Sequence, residues 1–198
     1  MTGGGGNDTY FVRNSNSVIV EIAGGGTLDT VGTSVSFTLA ADDNIEILTA
    51  IPAAGVTPIN LTGNAFGQRS IGNAGANSIN GGAGLDTLTG GAGDDRFVFN
   101  TTPGAANVDR ITDFTPGVDK IVLENLVFPG LSAGPLPLSG FAATLNGLAT
   151  DPFDRIIYES DTGKLFYDFD GNGLGPSFQF AVISPGLIFL GATDFVII

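Results

Sequence analysis

Residues 81–99 read GGAGLDTLTGGAGDDRFVF, a nine-residue phrase, G-G-A-G-x-D-x-U-x with U a large apolar residue, stated twice and then trailing off. Counting backward from Gly81 in nines gives GNAGANSIN at 72–80 and GNAFGQRSI at 63–71, so four phrases run contiguously from Gly63 to Val98. The match decays upstream. Position six is Asp95, Asp86, Asn77 and then Gln68, while the apolar position eight is Phe97, Leu88, Ile79 and then Ser70. A fifth copy, GGGGNDTYF, begins at Gly3 with Asp8 and Tyr10 in register. A damaged sixth, GGGTLDTVG, begins at Gly24 with Asp29 and Val31, at a spacing of 21, which is 18 plus a three-residue insertion.

Each phrase divides into a six-residue glycine turn and a three-residue extended piece carrying one inward apolar side chain, with Thr, Val, Phe and Ile favouring strand. Two phrases make one coil of 18 residues. Stacked coils predict an all-β parallel β-roll, with a short sheet on each side and a column of turns along each edge. Stacking places successive position-six aspartates about 4.8 Å apart, where two like charges repel by about 3 to 4 kcal/mol at an effective dielectric of about 20. One buried apolar side chain per phrase does not offset that repulsion together with the entropy of ordering nine residues, several of them glycine. A cation between the aspartates is required. A hard divalent ion taking oxygens from both carboxylates and from glycine-turn carbonyls fits, and calcium tolerates such flexible, backbone-rich sites better than magnesium does.

Composition agrees. The 198 residues are 42% hydrophobic and 14% charged, enough apolar material for a core. Net charge is −13, from 16 Asp and 4 Glu against 7 Lys and Arg. That balance offers no basic stripe for nucleic acid or anionic lipid, so a bound ion should be positive. Cysteine, histidine and tryptophan are absent, which removes disulfides, Cys or His metal sites and Ser-His-Asp chemistry. No apolar run reaches the roughly 18 residues of a membrane span. MTGGGGNDTY has neither the basic start nor the apolar stretch of a signal peptide, so export would use another signal.

At these residues the chain resembles the repeats-in-toxin (RTX) family of calcium-binding β-rolls. The resemblance implies calcium ions lying between turns n and n+2, held by carbonyls of turn positions one to four and by the position-six side chain. Turns 63–68 and 81–86 would then share one edge, and turns 72–77 and 90–95 the other. The implied calcium-binding residues are Gly72, Ala74 and Asn77; Gly81, Gly82, Ala83, Gly84 and Asp86; Gly90, Gly91, Ala92, Gly93 and Asp95; and Asp8 in the N-terminal copy. Gln68 is longer than aspartate and fits its turn less well. VDRITDFTPGVDKIVL (108–123) resembles the capping segment that follows the last repeat in serralysin-type proteases and in alginate epimerase modules, where Asp109, Asp113 and Asp119 would complete calcium sites or serve as ordinary turn acids. VGTSVSFTLAADDNIEIL (31–48) resembles spacer sequence between repeat blocks. ATDFVII (192–198) is similar to the uncleaved C-terminal type I export signal of the family, and reads equally as a last β-strand.

The chain opens inside a phrase, so we expect it to be the tail of a longer protein. Residues 1–100 read as the roll with its spacer, and 101–198 as a β-rich C-terminal capping region that covers the open end of the roll. In that region RIIYESDTGKLFYDFDGNG (155–173) predicts a hairpin around Asp161-Thr162-Gly163, extended by FQFAVI and LIFLG. DFDGNG (168–173) satisfies the first half of an EF-hand loop, but Gln179 stands where the bidentate glutamate belongs, which favours a structural turn over a weak extra calcium site. The expected function is calcium-dependent folding, with several Ca2+ ions, and type I secretion of an extracellular bacterial protein. The type I secretion apparatus would engage the C-terminus. The alternative is an adhesion or polysaccharide-binding module with a glycan ligand. An enzyme working through carboxylates alone has no constellation to support it.

Overall fold

The computed structural model describes residues 1–21 and 24–198. Strands alternate between two sheets as the chain advances, as a repeat of one turn and one short extended piece dictates. After β1 (Thr9–Val12), five two-strand coils follow: β2 (Thr30–Thr33) with β3 (Phe37–Thr38), β4 (Ile47–Ala50) with β5 (Leu61–Thr62), β6 (Arg69–Ile71) with β7 (Ser78–Asn80), β8 (Thr87–Thr89) with β9 (Arg96–Phe99), and β10 (Asp109–Ile111) with β11 (Lys120–Leu123). The even-numbered members lie side by side in one sheet and the odd-numbered ones in the other, all parallel. This is the parallel β-roll that the nonapeptide phrases predict.

The register states the repeat directly. Arg69 pairs with Thr87 and Ser78 with Arg96, each a step of 18 residues. Elsewhere the coil length varies while the pairing holds: Thr30 with Ile47, Ile47 with Arg69, Thr87 with Arg110 and Arg96 with Lys120. The spacer and the segment after the last repeat therefore form coils too, with turns of unequal length.

The interior is a stack of apolar side chains, one or more from most strands of the roll. It falls into two clusters, one from Tyr10 to Leu61 and one from Ile79 to Ile197. The break is at β6, where fully buried Ser70 stands in register between Leu48 and Leu88 and supplies no apolar contact.

Past the roll the chain changes from parallel coils to an antiparallel meander. β12 (Gly134–Pro135) and β13 (Phe141–Thr144) precede β14 (Ile156–Glu159) and β15 (Lys164–Asp168), which form the expected hairpin with Glu159 opposite Lys164. β16 (Ser177–Val182) pairs antiparallel with β15 and parallel with β10, and β17 (Phe195–Ile197) pairs parallel with β11. The C-terminal strands thus occupy one edge of each roll sheet, at β10 and β11, where unpaired backbone would otherwise recruit another chain. Phe99, Phe128 and Phe180 meet edge to face beneath them, with Tyr167 against Phe128.

One expectation is corrected. LIFLG at 187–191 is not a strand but a turn, with Ile188 and Phe189 more than four-fifths exposed. β16 already fills the edge of β10 and β17 that of β11, so neither C-terminal edge of the roll is open to this apolar run. Among the described residues helix is confined to two short 3₁₀ turns, and no helix is long and apolar enough to cross a membrane.

Candidate metal sites

Turn 81–86 shows why the phrase needs its glycines. A Cβ on Gly81, at position one, would stand 2.3 Å from Asp86 Oδ2, so only glycine lets the position-six carboxylate fold back across its own turn. Gly82 and Gly84, at positions two and four, have φ of +95° and +116°, a region L side chains rarely adopt, and Gly91 and Gly93 repeat the pattern one phrase later. Gly90 stands to Asp95, and Gly3 to Asp8, as Gly81 does to Asp86. Ala83, at position three, donates its N–H to the carbonyl of Asn64 one coil below at 2.9 Å, and Ala92 is the exposed equivalent in the next phrase.

The position-six side chains form two columns, one per edge. Each carboxylate reaches toward the previous coil and accepts that coil's position-six N–H. On one edge Asp29 Oδ1 accepts from Asp8 (2.7 Å), Glu46 Oε2 from Asp29 (2.7 Å), Asp86 Oδ1 from Gln68 (2.6 Å) and Asp109 Oδ1 from Asp86 (3.1 Å). On the other, Asp95 Oδ1 accepts from Asn77 (2.8 Å) and Asp119 Oδ1 from Asp95 (3.0 Å). Asp86, Asp95, Asp109, Asp119 and Asp29 are all buried.

Each such bond uses one oxygen. The buried Oδ2 atoms of Asp8, Asp29 and Asp86 have no hydrogen-bond partner among the described residues. The two ion pairs there, Lys120 with Asp194 and Lys164 with Glu159, lie elsewhere. Burial pushes the carboxyls of Asp86 and Asp95 up to about 6 and that of Asp109, beside Asp86, to about 8, and it raises Asp119 as well. Acceptor-only oxygens, buried in pairs and without a cation, are the donor set a hard divalent ion takes. The residues present fit calcium.

The four contiguous turns are not equivalent. In turn 72–77, Asn77 Oδ1 accepts from its own Asn73 N–H at 2.9 Å, and Asn77 Nδ2 donates to the Ile59 carbonyl (2.8 Å) and to Asn73 Oδ1 (3.1 Å). Gln68 closes turn 63–68 in the same way, accepting from Asn64 N at 3.1 Å. Gly72 packs under the Gly90 carbonyl, and the Ala74 N–H donates to that of Gly55 at 3.0 Å. These turns hold their shape through amide side chains. The turns ending in Asp86 and Asp95 leave carboxylate oxygens open.

Asp113 differs from its neighbours: both its oxygens accept from the N–H groups of Gly90 (2.9 Å) and Gly91 (2.8 Å). At 168–173 the carboxylate of Asp168 accepts from Asp170 N and that of Asp170 from Gly175 N, between two strands, and among the described residues no third carboxylate lies close enough to share an ion with them. Sequence reasoning gave no ligand role to Asp29 or Glu46. Both stand immediately before a strand of the roll, the one signal that the loss of nine-residue spacing does not erase.

The RTX calcium-binding nonapeptide repeat matches this chain in four copies, over residues 1–19 and 62–100. No curated protein matches the chain.

Proposed function

This chain carries RTX calcium-binding repeats in a β-roll, and on that premise we propose that it is a calcium-driven folding module of a type I secreted bacterial protein, with Asp86, Asp95, Asp109, Asp119 and Asp8 and the carbonyls of their glycine turns as ligands. The observation that carries the reading is the pair of position-six columns, in which buried carboxylates each give one oxygen to the coil below, and Asp29 and Asp86 keep the other buried without a hydrogen-bond partner among the described residues.

The mechanism is a coupling of charge to chain entropy. Without a cation, the stacked aspartates repel and the glycine turns favour the unfolded chain. Bound calcium supplies positive charge and oxygen coordination between coils. At ten times its dissociation constant each site contributes about 1.4 kcal/mol to folding. A chain that stays unfolded where calcium is scarce and folds where it is abundant is threadable on one side of a membrane and held on the other. The C-terminal Phe195 and Ile197 are buried in the folded roll, so an exporter that reads this tail does so before folding.

Circular dichroism tests the coupling. In chelator at pH 8 the β-signal should largely disappear, returning with calcium but not with equal magnesium; a spectrum indifferent to both overturns the reading. Removal of residues 192–198 should abolish export through a type I apparatus while leaving a synthesised, unexported chain.

A further inference from the structure

The turn at Gly3 and its partner at Gly24 differ from the others by an added carboxylate. The three-residue insertion that lengthens this coil brings Glu21 to the column. Val20 N–H donates to the Met1 carbonyl at 2.8 Å, and Thr2 and Val20 form a parallel bridge, which sets the following glutamate beside the turn. One carboxylate oxygen from each of Asp8, Glu21 and Asp29 lies within 4.8 Å of the other two. Two oxygens that each contact one ion at about 2.4 Å can stand no farther apart than about 4.8 Å.

Two of the three are anchored by a group that leaves an oxygen over. Asp29 Oδ1 accepts from Asp8 N at 2.7 Å, and Glu21 Oε2 accepts from the Tyr10 hydroxyl. Asp8 Oδ2, Glu21 Oε1 and Asp29 Oδ2 remain without a hydrogen-bond partner among the described residues, and Glu21 and Asp29 are 3% and 0% exposed. A Cβ on Gly3 would stand 2.3 Å from Asp8 Oδ2, and one on Gly26 would stand 2.5 Å from Asp29 Oδ2 and 2.6 Å from the Gly6 carbonyl, so the glycines keep the space around these oxygens clear. Neither ion pair of the described residues involves them.

We infer that Asp8, Glu21 and Asp29 form a three-carboxylate site for one hard cation of calcium's size, with Glu21 as a ligand supplied from outside the nonapeptide phrase and Tyr10 as the residue that positions it. The inference rests on the calcium reading for the identity of the ion. Three carboxylates against the two of the downstream turns make this the tightest site of the roll and the one most favourable to trivalent ions, since affinity follows ligand charge and rigidity.

Terbium titration of the full chain tests this, because a tyrosine beside the ion sensitises terbium emission. Tyr10 touches Glu21, whereas the Tyr158 and Tyr167 hydroxyls are bonded to the Ser184 and Pro129 carbonyls in the C-terminal half. Tyrosine-excited emission should saturate at a single equivalent, survive Asp86→Asn and Asp95→Asn, and vanish in Tyr10→Phe. Glu21→Gln should weaken terbium and calcium binding at this site by about tenfold or more, and Glu21→Asp should weaken them less. Circular dichroism of each variant in saturating calcium confirms that the roll has formed. Unchanged affinity in Glu21→Gln, or emission that disappears with Asp86→Asn and Asp95→Asn instead, overturns the three-carboxylate site while leaving the downstream calcium turns standing. Absence of any calcium-dependent folding in the wild-type chain overturns both.

Discussion

The contact between Gly81 and Asp86 explains the phrase at its smallest scale. The aspartate must cross its turn to meet the previous coil, and a methyl group on position one would occupy that path, 2.3 Å from Oδ2. Gly81→Ala should therefore destabilise the calcium-loaded protein by about 1–3 kcal/mol, the range for forcing extra carbon into packed structure. Gly5→Ala, where a Cβ would meet only the Gly25 carbonyl at 4.0 Å, should change little. Chemical denaturation of both variants in saturating calcium makes the comparison, and equal losses would mean that position one is not sterically special. At position six, Asp86→Ala and Asp95→Ala should each lower calcium-dependent stability more than Asp161→Ala, whose exposed carboxylate sits at the hairpin turn. Thermal melts with and without calcium would reveal a shared effect, which would place the ligands elsewhere.

Among elements, what was legible and what was not follow one physical distinction. Strands β6 to β9 were readable because nine-residue spacing fixes both turn geometry and side-chain direction. The hairpin β14–β15 was readable from alternation around Asp161-Thr162-Gly163. Glu46 was not recognised as a member of the position-six column, because the coils on either side of it are longer and shorter than 18 residues and only sheet register reveals the alignment. The exposed run at Ile188 and Phe189 was misread for the opposite reason: its composition favours strand, but edge availability is a property of the assembled sheets. Glu21 could not be placed from sequence at all, since it lies in an insertion whose path depends on the Thr2–Val20 bridge. Ser70 was visible as a flaw in the apolar position, and the structure gives that flaw its consequence. It is fully buried between Leu48 and Leu88 in register, and its Oγ has no hydrogen-bond partner among the described residues. Ser70→Ala removes an unsatisfied hydroxyl and should stabilise the roll by about 1 kcal/mol or more, with an upward shift in melting temperature in saturating calcium. A loss of stability would show that the hydroxyl is satisfied in solution.

For the whole molecule, the columns make stability depend on proton and calcium together. Burial raises the carboxyls of Asp86 and Asp95 to about 6 and that of Asp109 to about 8 in the metal-free fold, against about 3.9 for an aspartate in an unfolded chain. The folded, metal-free roll consequently binds more protons than the unfolded chain across that interval. Stability from these groups is fully present below the unfolded value and is lost as pH rises through 6 and then 8. Calcium reverses the slope, because its ligands must be ionised and binding releases protons. Metal-free protein should therefore melt at progressively lower temperature from pH 5 to pH 8, while the calcium-saturated protein holds or gains over the same range. The gap between the two curves would widen with pH, and calcium added at pH 6 to 7 in weak buffer should acidify the solution. A metal-free melting temperature that climbs with pH would mean that these carboxylates are solvated or paired in the fold, and the buried columns would no longer explain why this roll needs an ion.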